Sequence, residues 1–161
     1  MPSPAVGGEI VASWLAGRWR AELRAATGPV QNADVPGESG VGASLRAFSG
    51  GARGCYGILP FAVSVAGCAL GELDWVWASG YAMPSATVRD VNAGWIALGG
   101  GALVVWRLGD RVSVRANLDA VAPLARPHFV TERPDGTFSI LIYQPGAVIG
   151  RTGAGLEFHF L

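Results

Sequence analysis

The chain has 161 residues, and twelve arginines balance twelve acidic residues, so its net charge is zero. Its length predicts a single domain, residues 1–161, and its neutrality gives no reason to expect nucleic acid or another polyanion as a partner. Half of the residues are hydrophobic, only 15% are charged and 24 are glycine, a composition that suits a sheet protein or a membrane protein better than long helices.

Two windows without charge, 54–71 and 91–106, raise the question of membrane helices. A helix that spans a bilayer needs about 20 apolar residues. The first window carries Pro60 near its middle and several β-branched residues, and the second is too short. Strands are therefore the better interpretation of both windows. The N-terminal segment "MPSPAVGGEI" has neither the basic nor the apolar region of a secretory signal.

Alternation of apolar and polar residues predicts seven strands and no helix. In chain order the strands cover 6–15, 18–25, 41–55, 61–77, 91–106, 111–120 and 148–160. The alternation is clear in the second strand, where Trp19 and Leu23 alternate with Arg20 and Glu22. In the fifth strand both faces are apolar, so the pattern assigns neither face to the interior. The glycine triplet 99–101 is there compatible with a bulge.

The connections between these strands alternate in length. Residues 16–17, 57–60 and 108–110 are predicted tight turns, whereas 28–40, 78–90 and 123–144 are long loops rich in turn-forming residues. The last loop contains Asp135-Gly136, which predicts a further strand pair within it. Short turns at one end and long loops at the other indicate an antiparallel, up-and-down sheet.

Aromatic residues concentrate near the two ends of the predicted strands. Two such belts, about one strand-crossing apart, are typical of a β-barrel in a bilayer, because indole rings settle at the level of the lipid headgroups. The predicted membrane girdle consists of Trp14, Trp19, Trp106, Phe158 and Phe160 at the short-turn end, with Trp75, Trp77 and Trp95 at the long-loop end.

The opposite faces of the strands carry charged residues of both signs. Inside a narrow barrel these residues can pair across the lumen, because about eight strands leave room only for side chains or one small ligand. A solvated sheet face would give the same alternation. The predicted lumen charges are Arg18, Arg20, Glu22, Arg24, Arg46, Glu72, Asp74, Arg115, Asp119, Arg151 and Glu157.

The chain ends in "GLEFHFL", in which Ala154, Leu156, Phe158 and Phe160 occupy every second position. With this ending, the up-and-down strands and the alternating connections, the chain resembles bacterial outer-membrane β-barrel proteins. The resemblance implies a transmembrane barrel of eight or more strands in the outer membrane, in contact with its lipid. It also implies recognition of the C-terminal strand by the barrel-insertion machinery. The family pattern ends on an aromatic residue, whereas Leu161 follows here.

The resemblance also bears on the start of the chain. Barrels of this family keep both termini in the periplasm, which requires an even number of strands, whereas seven are recognisable here. We therefore expect that sequence upstream of Met1 encodes a signal peptide and one or more amphipathic strands.

Cys55 and Cys68 lie too far apart for a CxxC motif and have no nearby histidine to complete a metal site. They are either free buried thiols or, in an oxidising compartment, a disulfide that closes a short hairpin. His128 and His159 have no nucleophile or metal partner at useful spacing, and no catalytic or phosphate-binding motif is present. We therefore expect no enzymatic activity, no cofactor and no metal.

These patterns, together with the resemblance, predict an outer-membrane β-barrel protein with a structural role in the cell envelope or a narrow, porin-like transport role. The alternative is a soluble lipocalin-like barrel that binds a small apolar ligand in its lumen. That alternative requires apolar faces that point inward and rows of arginine in water.

Overall fold

A computed structural model describes residues 6–34, 42–60, 63–81, 90–126, 129–132, 139–144 and 146–160. No helix in this part of the chain is long and apolar enough to cross a membrane. The described residues form strands β1 (Gly8–Ala16), β2 (Trp19–Thr27), β3 (Gln31–Asp34), β4 (Gly42–Pro60), β5 (Val63–Tyr81), β6 (Asp90–Arg107), β7 (Val112–Pro123), β8 (Phe129–Glu132), β9 (Ser139–Tyr143) and β10 (Ile149–Phe158).

Seven of these strands form one antiparallel meander in the order β1-β2-β4-β5-β6-β7-β10, which curls into a half-barrel. We call them the seven-strand sheet. Within the described residues, β1 and β10 each pair with a single neighbour, so they are the edges of this sheet. The predicted all-β, up-and-down architecture is confirmed.

The two longest strands differ from the prediction in where they end. β4 and β5 have 19 residues each, and β4 continues through the predicted turn 57–60 by means of a bulge between Gly57 and Leu59. A bulge lets a glycine-containing segment stay in a strand although its residues resemble a turn. The glycine triplet 99–101 instead keeps a regular register with both neighbouring strands.

Two short strand pairings lie within the long connections. β8 pairs with β9, which confirms the strand pair expected in the loop 123–144, although Asp135-Gly136 lies outside the described residues. β3 was not predicted, because its sequence QNAD has no apolar alternation. It forms where β4 extends past the end of β2, and its Gln31 lies opposite Leu45.

The interior of the seven-strand sheet contains charged as well as apolar side chains, whereas its exterior is almost entirely apolar. Large apolar side chains such as Leu23, Leu118 and Leu156 are exposed on the outer face. This is the reverse of a water-soluble protein, in which charged residues are almost never buried. The soluble lipocalin-like alternative requires the opposite arrangement, which the structure does not have. The buried polar residues are Arg20, Glu22, Arg24, Arg53, Glu72, Asp74, Ser113, Arg115, Asn117 and Asp119.

Candidate functional site: an ion-pair network inside the half-barrel

The interior charges begin on β2, whose sequence WRAELRAAT has a charged residue at alternate positions. Because successive side chains of a strand point to opposite faces, Arg20, Glu22 and Arg24 all point inward and are buried. The residue directly opposite Glu22 on β4 is Arg53. The pairing of the two strands therefore brings an acidic and a basic side chain together on the inner face.

Glu22 is the first centre of the network. It is 1% exposed and three guanidinium groups surround its carboxylate. Arg20 Nε lies 2.6 Å from Oε1, while Arg115 Nη2 and Arg53 Nη1 lie 3.1 and 3.3 Å from Oε2. Since Arg115 belongs to β7, these contacts connect β7 with β2 and β4 through the interior.

Asp119 on β7 is the second centre. Its Oδ2 accepts hydrogen bonds from Arg53 Nη2, from Arg24 Nη1 at 3.3 Å and from Asn117 Nδ2 at 2.8 Å. Arg53 also contacts Glu22, so this fully buried side chain joins the two centres. Breaking such a group of charges apart is costly, because each charge left behind stays buried without a partner.

Two further carboxylates complete the group at its margins. Glu157 on β10 lies 2.7 Å from Arg20 Nη2, and Glu9 on β1 lies 3.0 Å from Arg24 Nε. The group then contains four arginines and four carboxylates, whose formal charges cancel. We call it the inner network, and its members are Arg20, Arg24, Arg53, Arg115, Glu9, Glu22, Asp119 and Glu157.

A second, smaller ion-pair group also crosses the interior. Arg151 on β10 lies 2.8 Å from the carboxylate of Glu72 and 3.1 Å from Asp74, both on β5. The arginine is half-buried, whereas the two carboxylates are buried. This contact links the last strand of the sheet to its central strands.

Inward-facing glycines make room for these side chains. A Cβ on Gly101 would collide with the Asp119 carboxylate, and one on Gly153 would lie 2.7 Å from Asn117 Oδ1. A Cβ on Gly51 would likewise lie 2.8 Å from the Cβ of Glu72. A Cβ on Gly51 or Gly101 would also meet a backbone oxygen of the neighbouring strand, that of Gly71 or Leu118. Glycine at these positions therefore makes room both for the charged side chains and for the close approach of the strands.

The remainder of the interior is apolar. Trp95 is its largest side chain, and we name the group the Trp95 cluster; its members are Leu45, Leu70, Val76, Ala78, Trp95, Ala97 and Val121. A smaller group contains Cys55, Leu103 and Val105. Cys55 lies opposite Cys68 in the register of β4 and β5, and the two form a disulfide on the inner face.

The predicted lumen charges are brought together with two exceptions. Arg20, Glu22, Arg24, Glu72, Asp74, Arg115, Asp119, Arg151 and Glu157 take part in the interior ion pairs. Arg18 is instead exposed in the turn between β1 and β2, and Arg46 is exposed on the outer face of β4. The prediction that Arg46 faces the lumen was wrong because the inward residue at this point of β4 is apolar. Leu45 points inward, so the adjacent Arg46 points outward.

Sequence reasoning missed Arg53, which joins the two centres of the inner network. Its neighbours are small residues, in "GGARGC", so no alternation marks the inner face there. A signal was nonetheless available, because Arg53 lies two residues before Cys55 and so shares its face. Pairing β2 with β4 in register would have placed it opposite Glu22.

The predicted girdle residues lie on the outer face with one exception. Trp14, Trp19, Trp75, Trp77, Trp106, Phe158 and Phe160 are all exposed, and the rings of Trp19 and Tyr56 meet edge to face at 5.0 Å. Trp95 is only 7% exposed and points inward. The prediction for Trp95 was wrong because both faces of β6 are apolar, so the sequence pattern does not show which face is inward. Trp95 lies directly opposite Asp74, which points inward, and this pairing places Trp95 on the inner face.

One contact resembles catalytic chemistry but is unsuited to it. His159 Nε2 lies 2.9 Å from Ser113 Oγ and 3.9 Å from Glu157. A catalytic triad holds the acid on the other ring nitrogen, whereas here one nitrogen faces both groups. Ser113 is also fully buried, so no substrate reaches its hydroxyl. Among the described residues no histidine, cysteine or carboxylate cluster is arranged to hold a metal ion.

The outer face of the seven-strand sheet is nearly free of charge. Of the outward side chains that the structure describes on this sheet, Arg46 is the one charged residue. A surface of this kind, with aromatic side chains near its ends, has the character of the outer wall of a membrane β-barrel.

Comparison with known proteins gives a likeness in structure but none in sequence. No family model matches the chain, and no curated protein matches it. The structure is similar to the crystal structure of a major outer membrane protein from Thermus thermophilus, with a TM-score of 0.71 and 16% identity, covering 96% of this chain and 92% of that chain. At this identity the likeness shows the fold alone, which is all-β and antiparallel, like that of the outer membrane protein.

Proposed function

We propose that this protein is an outer-membrane β-barrel protein with a structural role in the cell envelope, and that its own side chains close its lumen. One observation carries the proposal, namely the inverted polarity of the sheet. Ion pairs lie on the inner face, while residues such as Leu118 and Leu156 are exposed on the outer face. Hydrocarbon accommodates such a surface, whereas water does not.

The packing of the interior favours a structural role over a narrow porin-like one. The side chains of Glu22 and Arg53 have no exposed surface, and they connect to β7 through Arg115 and Asp119. A conducting pore needs a water-filled path, whereas here the polar groups contact one another. The proposal includes no catalytic reaction and no cofactor.

Membrane contact is tested by placing a charge on the outer face. Leu118, in the middle of β7, is 61% exposed, and Leu124, just beyond the end of β7, is 65% exposed. In lipid vesicles we expect Leu118→Arg to lower the free energy of unfolding by about 2–4 kcal/mol, the cost of arginine near the middle of a bilayer. Leu124→Arg is the matched control and should cost about 1 kcal/mol or less.

Urea unfolding in vesicles, followed by tryptophan fluorescence, measures both variants. A water-exposed leucine tolerates arginine with little change in stability, so equal and small effects at both positions would argue against a membrane-embedded outer face. Recovery of the wild-type protein in a soluble fraction without detergent would argue against it independently.

The structural role is tested by electrical recording. The refolded protein, inserted into a planar bilayer, is expected to give no steady ion conductance, because the inner network occupies the lumen. Reproducible single-channel conductance from the wild-type protein would favour the narrow transport role instead. Fractionation of cells that express the protein should place it in the outer membrane.

The C-terminal strand is the proposed contact with the barrel-insertion machinery. Phe160 is exposed at the end of the segment in which every second residue is apolar. Phe160→Ala should reduce the amount of assembled protein in the membrane while leaving synthesis intact. Trp106→Ala, which removes an exposed aromatic side chain from another strand, is the control. Normal insertion of Phe160→Ala would mean that the terminal pattern serves packing alone.

A further inference from the structure

Arg46 differs from the other arginines on the strands in where it lies. It is exposed on the outer face of β4, beyond the end of β2, and Trp77 of β5 lies directly opposite it. Phe48 follows two residues later on the same face, opposite Trp75. A single cation therefore lies within an aromatic part of the outer surface.

Arg46 also lines an open cavity of about 580 Å³. The segment that follows β2 forms one wall with Pro29 and Val30, and Phe48 and Trp77 belong to the other side. A backbone hydrogen bond of 3.1 Å from Gly28 N to the carbonyl oxygen of Ala47 holds this segment against β4. The pairing of β3 with β4 fixes it from the other end. The cavity is thus built by the fold rather than by one loop side chain.

The chemistry of the cavity calls for an anion. None of the residues that line it is acidic, and Arg46 has no ion pair among the described residues. If the outer face lies in a bilayer, the lipid lowers the dielectric around this exposed guanidinium group, so an opposite charge placed there gains more than it would in open water. Planar guanidinium groups match phosphate oxygens with two parallel hydrogen bonds.

The position of the cavity indicates where that anion comes from. Tryptophan side chains on the outer face of a barrel lie at the level of the lipid headgroups, and Trp75 and Trp77 are both exposed there. The phosphates of membrane lipids lie at the same level. We propose that the cavity around Arg46 binds the phosphate of an anionic membrane lipid, whose acyl chains lie along the outer surface of β4 and β5.

This inference rests on the proposed function, since it requires the outer face to lie in a bilayer. Native mass spectrometry of the refolded protein in detergent micelles tests it, with dioleoyl phosphatidylglycerol added as the anionic lipid and dioleoyl phosphatidylcholine as the zwitterionic one. We expect one tightly bound phosphatidylglycerol per protein. Arg46→Gln should weaken its binding about tenfold, the loss expected for one charge-assisted contact, and Arg46→Lys should weaken it less.

Arg111→Gln is the matched control, because it removes the same charge from an exposed arginine at the opposite end of the sheet. Its binding of phosphatidylglycerol should equal that of the wild-type protein. The proposal is overturned if Arg46→Gln binds the lipid as tightly as the wild type, if both variants lose binding equally, or if phosphatidylcholine binds equally well. Displacement of the lipid by inorganic phosphate at the same concentration would indicate a site for small anions and would also overturn it.

Failure of this inference is distinguishable from failure of the proposed function. If the outer face lies in lipid but Arg46 binds no headgroup, Leu118→Arg still destabilises the protein more than Leu124→Arg does. If the outer face does not lie in lipid, that difference disappears as well.

Discussion

Two regions of the interior are filled by different kinds of side chain, one by charged residues and the other by apolar residues. The inner network joins β2, β4 and β7 through buried ion pairs, whereas the Trp95 cluster fills the space along β5 and β6 with apolar side chains. With the proposed membrane location, a bilayer acts directly on the outer face alone, so the inner face can be filled by polar or by apolar side chains. The difference teaches that the interior of such a sheet can be filled by ion pairs in one region and by apolar packing in another.

The largest effect is expected from breaking the inner network at its first centre. Glu22→Gln removes the charge that three buried guanidinium groups share, and it should lower the free energy of unfolding by about 3–5 kcal/mol. Urea unfolding in detergent micelles measures the change. Glu9→Gln is the matched control, because Glu9 has one ion pair and a partly exposed side chain; it should cost less than about 1 kcal/mol. Equal losses would contradict the central role of Glu22.

The apolar region is tested at Trp95. Trp95→Ala leaves a cavity among buried side chains and should cost about 3 kcal/mol, near the low end for such a truncation, because a lumen can admit water. Trp95→Phe retains an aromatic ring and should cost less than about 1.5 kcal/mol. The same unfolding measurement compares the two variants. If both lose the same stability, close packing is not what Trp95 contributes.

The disulfide belongs to the smaller apolar group with Leu103 and Val105, and it should contribute less than Glu22 or Trp95. Replacing Cys55 and Cys68 together by alanine removes a cross-link between residues that are 13 positions apart. The unfolded chain then gains conformational entropy. We expect a loss of about 2–3 kcal/mol by the loop-closure model. Unfolding of the oxidised wild type and the double variant under the same conditions gives the value. Thiol labelling of the unfolded wild-type protein should detect no free thiol, and two reactive thiols would contradict the disulfide.

The smallest effect is expected from a substitution that tests how closely the side chains of the inner network are packed. Gly153→Ala places a methyl group against the side-chain amide of Asn117, which donates a hydrogen bond to Asp119, and should cost about 1–2 kcal/mol through displacement of that side chain. Gly67→Ala is the control, since a Cβ there meets no atom within 4 Å. A loss of less than about 0.5 kcal/mol is expected for it. Equal stability of the two variants would mean that the polar region is loosely packed, unlike the Trp95 cluster.

Sequence patterns predicted those parts of the fold in which one face of a strand carries charge. From Arg20 to Arg24 of β2, every second residue is charged, so the inward side of Arg20, Glu22 and Arg24 follows from the two-residue period of a strand. The up-and-down order followed from the alternation of short turns and long loops. Both predictions depend only on neighbours along the chain.

The remaining errors concern residues whose side is decided by strand register. Trp95 lies on a strand with two apolar faces and points inward because it pairs with Asp74. Arg46 points outward because its neighbours Leu45 and Ala47 share the face of Arg53. The alternation of residues along one strand does not show which residues of the neighbouring strand lie on the same side of the sheet, because that depends on the register. For this reason the Arg46 cavity could not be predicted from the sequence.

The length of β4 and β5 has a consequence for the shape that the protein presents outside a membrane. At about 3.3 Å per residue, their 19 residues extend about 60 Å. A tilted strand crosses a bilayer with about 9–11 residues. In a bilayer, close to half of each strand would therefore lie outside the hydrocarbon, divided between the two sides, and on the long-loop side β5 continues as a paired strand for four residues beyond Trp77. A molecule approaching the membrane from the long-loop side would meet a stiff sheet before it met lipid.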